Sequence, residues 1–339
     1  MSKKIRWGVL GAARIAVNKV IPGMQKGQYS SVDAIASRDS ARADMTARKL
    51  GIPKSYGSYE ALLADKDIDA VYIPLPNHLH VPWSVKAAEA GKHVLCEKPV
   101  ALNAPEVGRL IEARDKFKVK IQEAFMVKTY PQWMKAREIV QSGELGDVLL
   151  YHCGFSYNSL DADNVRNFPE YGGGGLLDIG CYPIVTSRFV LGLEPEKVVA
   201  SIDFDPEFKV DRLVSALLDF GSVQAQFFCS TNMVPLQSVQ ILGTRARLEI
   251  EVPYNAPVDR PCQLFLTQGD LYRRDLITIG IDTCDQYTIQ GDCFSKAILE
   301  DLPQPIPLED SVQNMKVIDS LFESAEKGKW IRLKQDDSA

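Results

Sequence analysis

No CxxC pair occurs in this chain of 339 residues, and only 4 residues are histidine. The cysteines, Cys96, Cys153, Cys181, Cys229, Cys262, Cys284 and Cys293, are odd in number and widely spaced. That spacing supports neither a disulfide framework nor a zinc knuckle, and it predicts a reducing, cytoplasmic setting. His78 and His80 are two apart and do not share a helix face, His93 and His152 stand alone, and no carboxylate joins them at ligand spacing, so no metal site is expected. A basic excess is missing as well: 39 Lys and Arg stand against 44 Asp and Glu, a net charge of -5. Nucleic-acid binders carry the opposite balance, and nothing indicates a membrane partner. No apolar run reaches the ~18 residues of a spanning helix. Arg6, Gly11 and Arg14 interrupt the apolar start where a secretory signal needs an unbroken stretch. Repeats, low-complexity tracts and a Pro- or Gly-rich linker are absent from the sequence.

What remains is ordinary globular composition, 45% hydrophobic, 24% charged and 9% aromatic, at a length that implies about two domains. In the first third, short apolar runs at 5–10, 32–37, 68–73, 93–96 and 119–125 alternate with helical spacing at 41–50, 78–90 and 105–117. Runs apolar on both faces and separated by helices predict a doubly wound parallel sheet, an α/β fold. Beyond about residue 125 the pattern changes to strands at 148–157, 197–204, 213–220, 222–231, 238–242 and 246–252, with a hairpin at Gly221. The expected division is residues 1–125 for a nucleotide-binding domain and 126–334 for a substrate-binding and oligomerisation domain of α+β type with a large open, mostly antiparallel sheet.

Four segments carry chemistry. Gly11, Ala13 and Ala16 form G-x-A-x-x-A between a strand and a helix, a departure from the dinucleotide fingerprint in which backbone N–H groups face a pyrophosphate. Ser37-Arg38, with Arg42 a turn later, stand where NAD enzymes place an acid for the ribose 2′-hydroxyl. A guanidinium attracts a 2′-phosphate there and so favours NADP over NAD, with Asp39 the competing acid. Glu97-Lys98-Pro99 closes the run 93–96 at the sheet edge where ligands bind. Gly172 to Gly175 precede Asp178 and Tyr182, four residues apart and on one helix face. A phenol of ordinary pKa ~10 needs a neighbouring ammonium to exchange protons near neutrality. On sequence alone Tyr182 reads equally as a core tyrosine. The polar, aromatic stretch 156–171, with Asn158 and Arg166, suits either a polyhydroxylated substrate or solvent.

Together GVLGAARIA, ASRD at 36–39, AVYIPLPNHLH at 70–80, AGKHVLCEKP at 90–99 and GGGGLLDIGCYPI at 172–184 resemble the Gfo/Idh/MocA oxidoreductases over nearly the whole chain. Tyrosine at 182 resembles the tyrosine-type members: glucose–fructose oxidoreductase, dimeric dihydrodiol dehydrogenase, NADP-dependent xylose dehydrogenase and certain keto-sugar-nucleotide reductases. The resemblance implies an N-terminal Rossmann domain, a homodimer or homotetramer formed through the C-terminal sheet, and a cis Lys98-Pro99 peptide. It implies Lys98, Tyr182 and Asp178 as catalytic residues. Cofactor contacts are implied at Gly11, Ala12, Ala13, Arg14 and Ile15, at Ser37, Arg38 and Arg42, at Leu75, Pro76, Asn77 and His80, and at Glu97, Lys98, Arg166 and Tyr287. Arg166, Asp178 and Tyr182 are implied for substrate, and the polar stretch adds Asn158 as a candidate. The activity implied is hydride transfer between NADP and a sugar, polyol or keto-sugar, with trans-dihydrodiols and sugar nucleotides as other substrates. A non-catalytic NADP-binding regulator is the alternative outside enzymes.

Overall fold

The computed structural model describes residues 3–159 and 161–333. The chain divides into two compact units, residues 1–129 with 285–312, and residues 130–284 with 313–339. A contiguous division near residue 125 therefore omits the return of the chain to the first unit.

In the first unit, β1 (Ile5–Leu10), β2 (Ser30–Ala36), β3 (Lys54–Tyr56), β4 (Ala70–Ile73), β5 (His93–Cys96) and β6 (Ile121–Glu123) form one sheet. Their order is β3-β2-β1-β4-β5-β6, and every pairing is parallel. This is the doubly wound arrangement, in which the order of the strands reverses between β1 and β4 while all of them stay parallel. The continuous apolar runs have their cause here: Val9, Ile35, Val71, Ile73, Val94, Leu95 and Ile121 are all fully buried because both sheet faces are covered. Helices start where the sequence offers an acceptor for their free N–H groups. Asn103 caps Ala104–Phe117 by accepting from Glu106 N, and Pro105 occupies its first turn. The helix Gln286–Leu299 joins this unit through polar contacts as well as packing. Trp7 Nε1 donates to Ser295 Oγ at 3.0 Å, and Asp292 accepts from Gln28 N and Tyr29 N.

In the second unit, β7 (Val148–Asn158), β8 (Lys197–Phe204), β9 (Asp211–Asp219), β10 (Gln224–Ser230), β11 (Asn232–Gly243), β12 (Arg247–Ile250), β13 (Cys262–Thr267), β14 (Ile277–Ile281) and β15 (Ile331–Arg332) form a second sheet. Its order is β14-β13-β12-β11-β7-β10-β9-β8-β15. The pairings are antiparallel except β7 with β10. The expected hairpin at Gly221 joins β9 to β10, with φ +82° at the turn. The helix Cys181–Leu191 is buried over residues 181–190, which explains its lack of a polar face. Thr186 on this helix is bonded to Tyr151 of β7, 2.7 Å between their hydroxyl oxygens.

Candidate active site

At the carboxyl edge of the parallel sheet, Gly11 follows β1 with φ +115°, and its N–H donates to Ala36 O at 2.8 Å. A Cβ at this position would lie 3.0 Å from Leu75 Cδ2, so glycine keeps the ends of β1 and β4 close without strain. Ala12 is buried, Ala13 and Ile15 are half-buried, and Arg14 is exposed. After β2 the buried Ser37 accepts from Asp39 N at 3.2 Å. Asp39 accepts from Arg42 N at 3.1 Å and so caps the helix Ser40–Leu50. The competing acid is thus engaged as an N-cap, while Arg38 and Arg42 remain exposed. Arg42 Nη2 donates to Ala12 O at 2.8 Å, tying the β2 loop to the β1 turn. Arg38 reaches the Tyr59 hydroxyl.

Beyond β4, Leu75 is buried, Pro76 is half-buried, and Asn77 opens a short turn. His80 does not stand at that edge as a surface contact. It is 1% exposed, and its Nδ1 and Nε2 each lie 2.7 Å from a carbonyl oxygen, of Pro99 and Leu75 respectively. The ring is a strut between two strand-end loops, and burial pushes its pKa down to about 4. The neutral ring carries one N–H and donates it to one of the two carbonyls, and its burial keeps it from facing a cofactor directly. After β5, Tyr72 donates to Glu97 Oε1 at 2.5 Å and Lys98 N to Glu97 Oε2 at 3.3 Å. Lys98-Pro99 is cis. Tyr287, at the start of Gln286–Leu299, is buried beside these groups. Burial, and then Glu97, push its phenol up to about 12, with the Lys98 ammonium acting in the opposite sense. Glu123, which no motif marks, is 1% exposed and accepts from Val100 N at 2.9 Å. Burial raises its carboxyl to about 7.

In the second unit Asp178 is the hub. Its Oδ2 accepts from Tyr157 OH at 2.6 Å and pairs with Arg166 Nε at 2.8 Å. The structure thus joins Arg166, Asp178 and Tyr157, the last a residue that motif reading missed although it lies within the polar, aromatic stretch. Asn158 is exposed at the end of β7. Tyr182 stands in the first turn of Cys181–Leu191, 6% exposed. Its ring centroid lies 5.0 Å from that of Tyr254 and 5.7 Å from that of Phe155. Thr186 Oγ1 donates to its carbonyl at 2.7 Å. Tyr254 is fully buried, and burial drives its phenol well above the ordinary range. No sequence signal distinguishes it from a core aromatic.

Among the described residues, no group of three or more His, Cys, Asp or Glu is placed to hold a metal ion. Among them also, no helix is long and apolar enough to cross a membrane.

Residues 5–125 match the family model described as an oxidoreductase family with an NAD-binding Rossmann fold, and residues 133–249 match the GFO/IDH/MocA C-terminal domain. The uncharacterized oxidoreductase ORF334 of Rhizobium meliloti is 47% identical over 328 residues, covering 96% of this chain and 98% of its own. A D-xylose 1-dehydrogenase (NADP(+)) of Haloferax volcanii is 38% identical over 330 residues, covering 96% of this chain and 99% of its own. The crystal structure of KijD10, a 3-ketoreductase from Actinomadura kijaniata in complex with NADP and TDP-benzene, superposes with a TM-score of 0.89. Its identity is 29%, with 95% of this chain and 98% of that one covered. Two matching domains and near-complete alignment with these relatives make this chain a member of the GFO/IDH/MocA oxidoreductase family.

Proposed function

We propose that the protein is an NADP-dependent oxidoreductase acting on a CH–OH group of a sugar, polyol or keto-sugar. One observation carries the cofactor choice: Asp39 is held as the cap of its own helix through Arg42 N, and the guanidinium groups of Arg38 and Arg42 stand exposed beside it at the end of β2. Such a pair suits a 2′-phosphate, whereas NAD sites place a free carboxylate there. The xylose dehydrogenase relative is an NADP(+) enzyme and the 3-ketoreductase structure holds NADP, which supports the same choice. The Gly11 turn, with Ala12, Ala13, Arg14 and Ile15, fits a pyrophosphate at a helix start. Leu75, Pro76, Asn77, Glu97, Lys98 and Tyr287 would line the nicotinamide end.

When bound, NADP supplies or accepts hydride at its nicotinamide ring. Tyr182 exchanges the proton of the substrate hydroxyl, and the Lys98 ammonium favours the phenolate form. Asp178, holding Tyr157 and Arg166, orients the substrate hydroxyls with Asn158. Lys98→Ala and Tyr182→Phe should each keep NADP affinity within a few-fold while kcat falls by about 100- to 10,000-fold. Full kcat in either variant would remove the role of that residue. A panel of aldoses, a trans-dihydrodiol and a nucleotide-linked keto-sugar, read by NADPH absorbance, separates the substrate classes. NADP binding without turnover on any of them would favour a regulator.

A further inference from the structure

The glycine run encloses a carboxylate that belongs to none of the motifs. Asp211, the first residue of β9, is 2% exposed. Its Oδ2 accepts from Leu176 N at 2.6 Å, and the Gly175 N–H also bonds its carboxylate. These amides open the continuous helical segment 176–191, whose first turn, Leu176–Gly180, is of the wide π type and carries Asp178, and whose next turn carries Tyr182. Such a segment begins with unpaired N–H donors and a partial positive charge, so an anion there is favoured. The glycines make the approach possible. A Cβ on Gly174, where φ is +106°, would fall 1.9 Å from Asp211 Oδ1, and one on Gly173 would fall 2.3 Å from Arg166 O. The same turn binds Gly174 N to Arg166 O at 2.9 Å and Asp178 N to Gly174 O at 3.1 Å. A bonded path thus links Asp211 to the backbone of Asp178 and of Arg166, whose guanidinium returns to the Asp178 carboxylate.

We propose that Asp211 is a positioning residue: its carboxylate anchors the start of the helix that presents Asp178 and Tyr182, and Gly174 leaves the space that admits it. The proposal rests on the roles given to Asp178 and Tyr182 above. The titratable groups facing Asp211 are Asp178 on the helix start and the Cys229 thiol on β10. Burial, the largest influence, lifts the Asp211 carboxyl to about 7 against the pull of its N–H donors.

Asp211→Asn in the full chain keeps the shape and replaces one acceptor oxygen with a donor that faces backbone N–H. The expected result is a fall in kcat of about 10- to 100-fold, as for a small misplacement of reacting groups. The Kd for NADPH should stay within about twofold, because the amides involved lie in the second unit. Hydrogen exchange at 174–180 should speed up about tenfold, with exchange in the parallel sheet unchanged. Unchanged exchange, or lost protection with unchanged kcat, overturns the proposal. If Asp211→Asn does not fold, the wild-type chain decides. The Gly175 and Leu176 amide shifts should titrate together near the pKa of about 7 given to Asp211, and flat shifts overturn the anchor. If wild-type protein turns over no substrate while Asp211→Asn still loses protection, the anchor stands and the oxidoreductase reading above is what fails.

Discussion

At the scale of single residues, charge decides more than size. Arg38 and Arg42 stand beside a carboxylate that is engaged as a helix cap, so the local field at the end of β2 favours an anion. Arg38→Glu should weaken NADP by about 10- to 100-fold, the equivalent of one charge-assisted hydrogen bond, and should leave NAD affinity nearly unchanged. Equal losses for both cofactors would sink the assignment. Two buried groups tilt stability in opposite directions with pH. Glu123 has a folded pKa of about 7 against an ordinary 4.5, so its contribution is complete below the ordinary value and is lost as pH rises through 7. His80, depressed to about 4 from 6.5, contributes fully above its ordinary value and loses that contribution as pH falls toward 4. Glu123→Gln retains an acceptor for Val100 N–H and should flatten the decline in urea midpoint between pH 5 and 8. An unaltered slope would remove Glu123 as its source.

At the scale of elements, turns and helix starts carry the specific information. The β9–β10 hairpin depends on Gly221, where φ is +82° and a Cβ would fall 2.9 Å from Glu196 Oε1. Gly221→Ala should cost about 1–2 kcal/mol in the second unit, seen as a lower urea midpoint. NADP affinity should be unchanged, and a variant as stable as wild type would contradict the strain argument. Five of the six parallel strands were legible because burial on both faces demands unbroken apolar runs; β3, Lys54–Tyr56, is half-buried throughout and left no such run. The helix Cys181–Leu191 was harder to read, since an element buried on all sides shows no amphipathic period. The strands β13 and β14 escaped notice: Cys262–Thr267 and Ile277–Ile281 follow no motif and are short.

At the scale of the molecule, the chain is two compact units. NADPH at about one hundred times its Kd should stabilise the first unit by about 2.7 kcal/mol through mass action. Calorimetry should show the shift to be smaller with NADH at equal concentration, and an equal shift would count against NADP. The alternating pattern, the Gly11 turn, Glu97-Lys98-Pro99 and the glycine run with Asp178 and Tyr182 were readable from sequence alone. Periodicity and turn chemistry act between near neighbours, so they leave a local trace. What each side chain bonds to was decided only by tertiary structure. Asp39 turned to its own helix, His80 became a strut between Leu75 and Pro99, residues 285–312 rejoined the first unit, and Asp211 met an amide 35 positions away. A buried polar group must find a partner wherever the fold supplies one, and the distance along the chain to that partner leaves no mark in the order of residues.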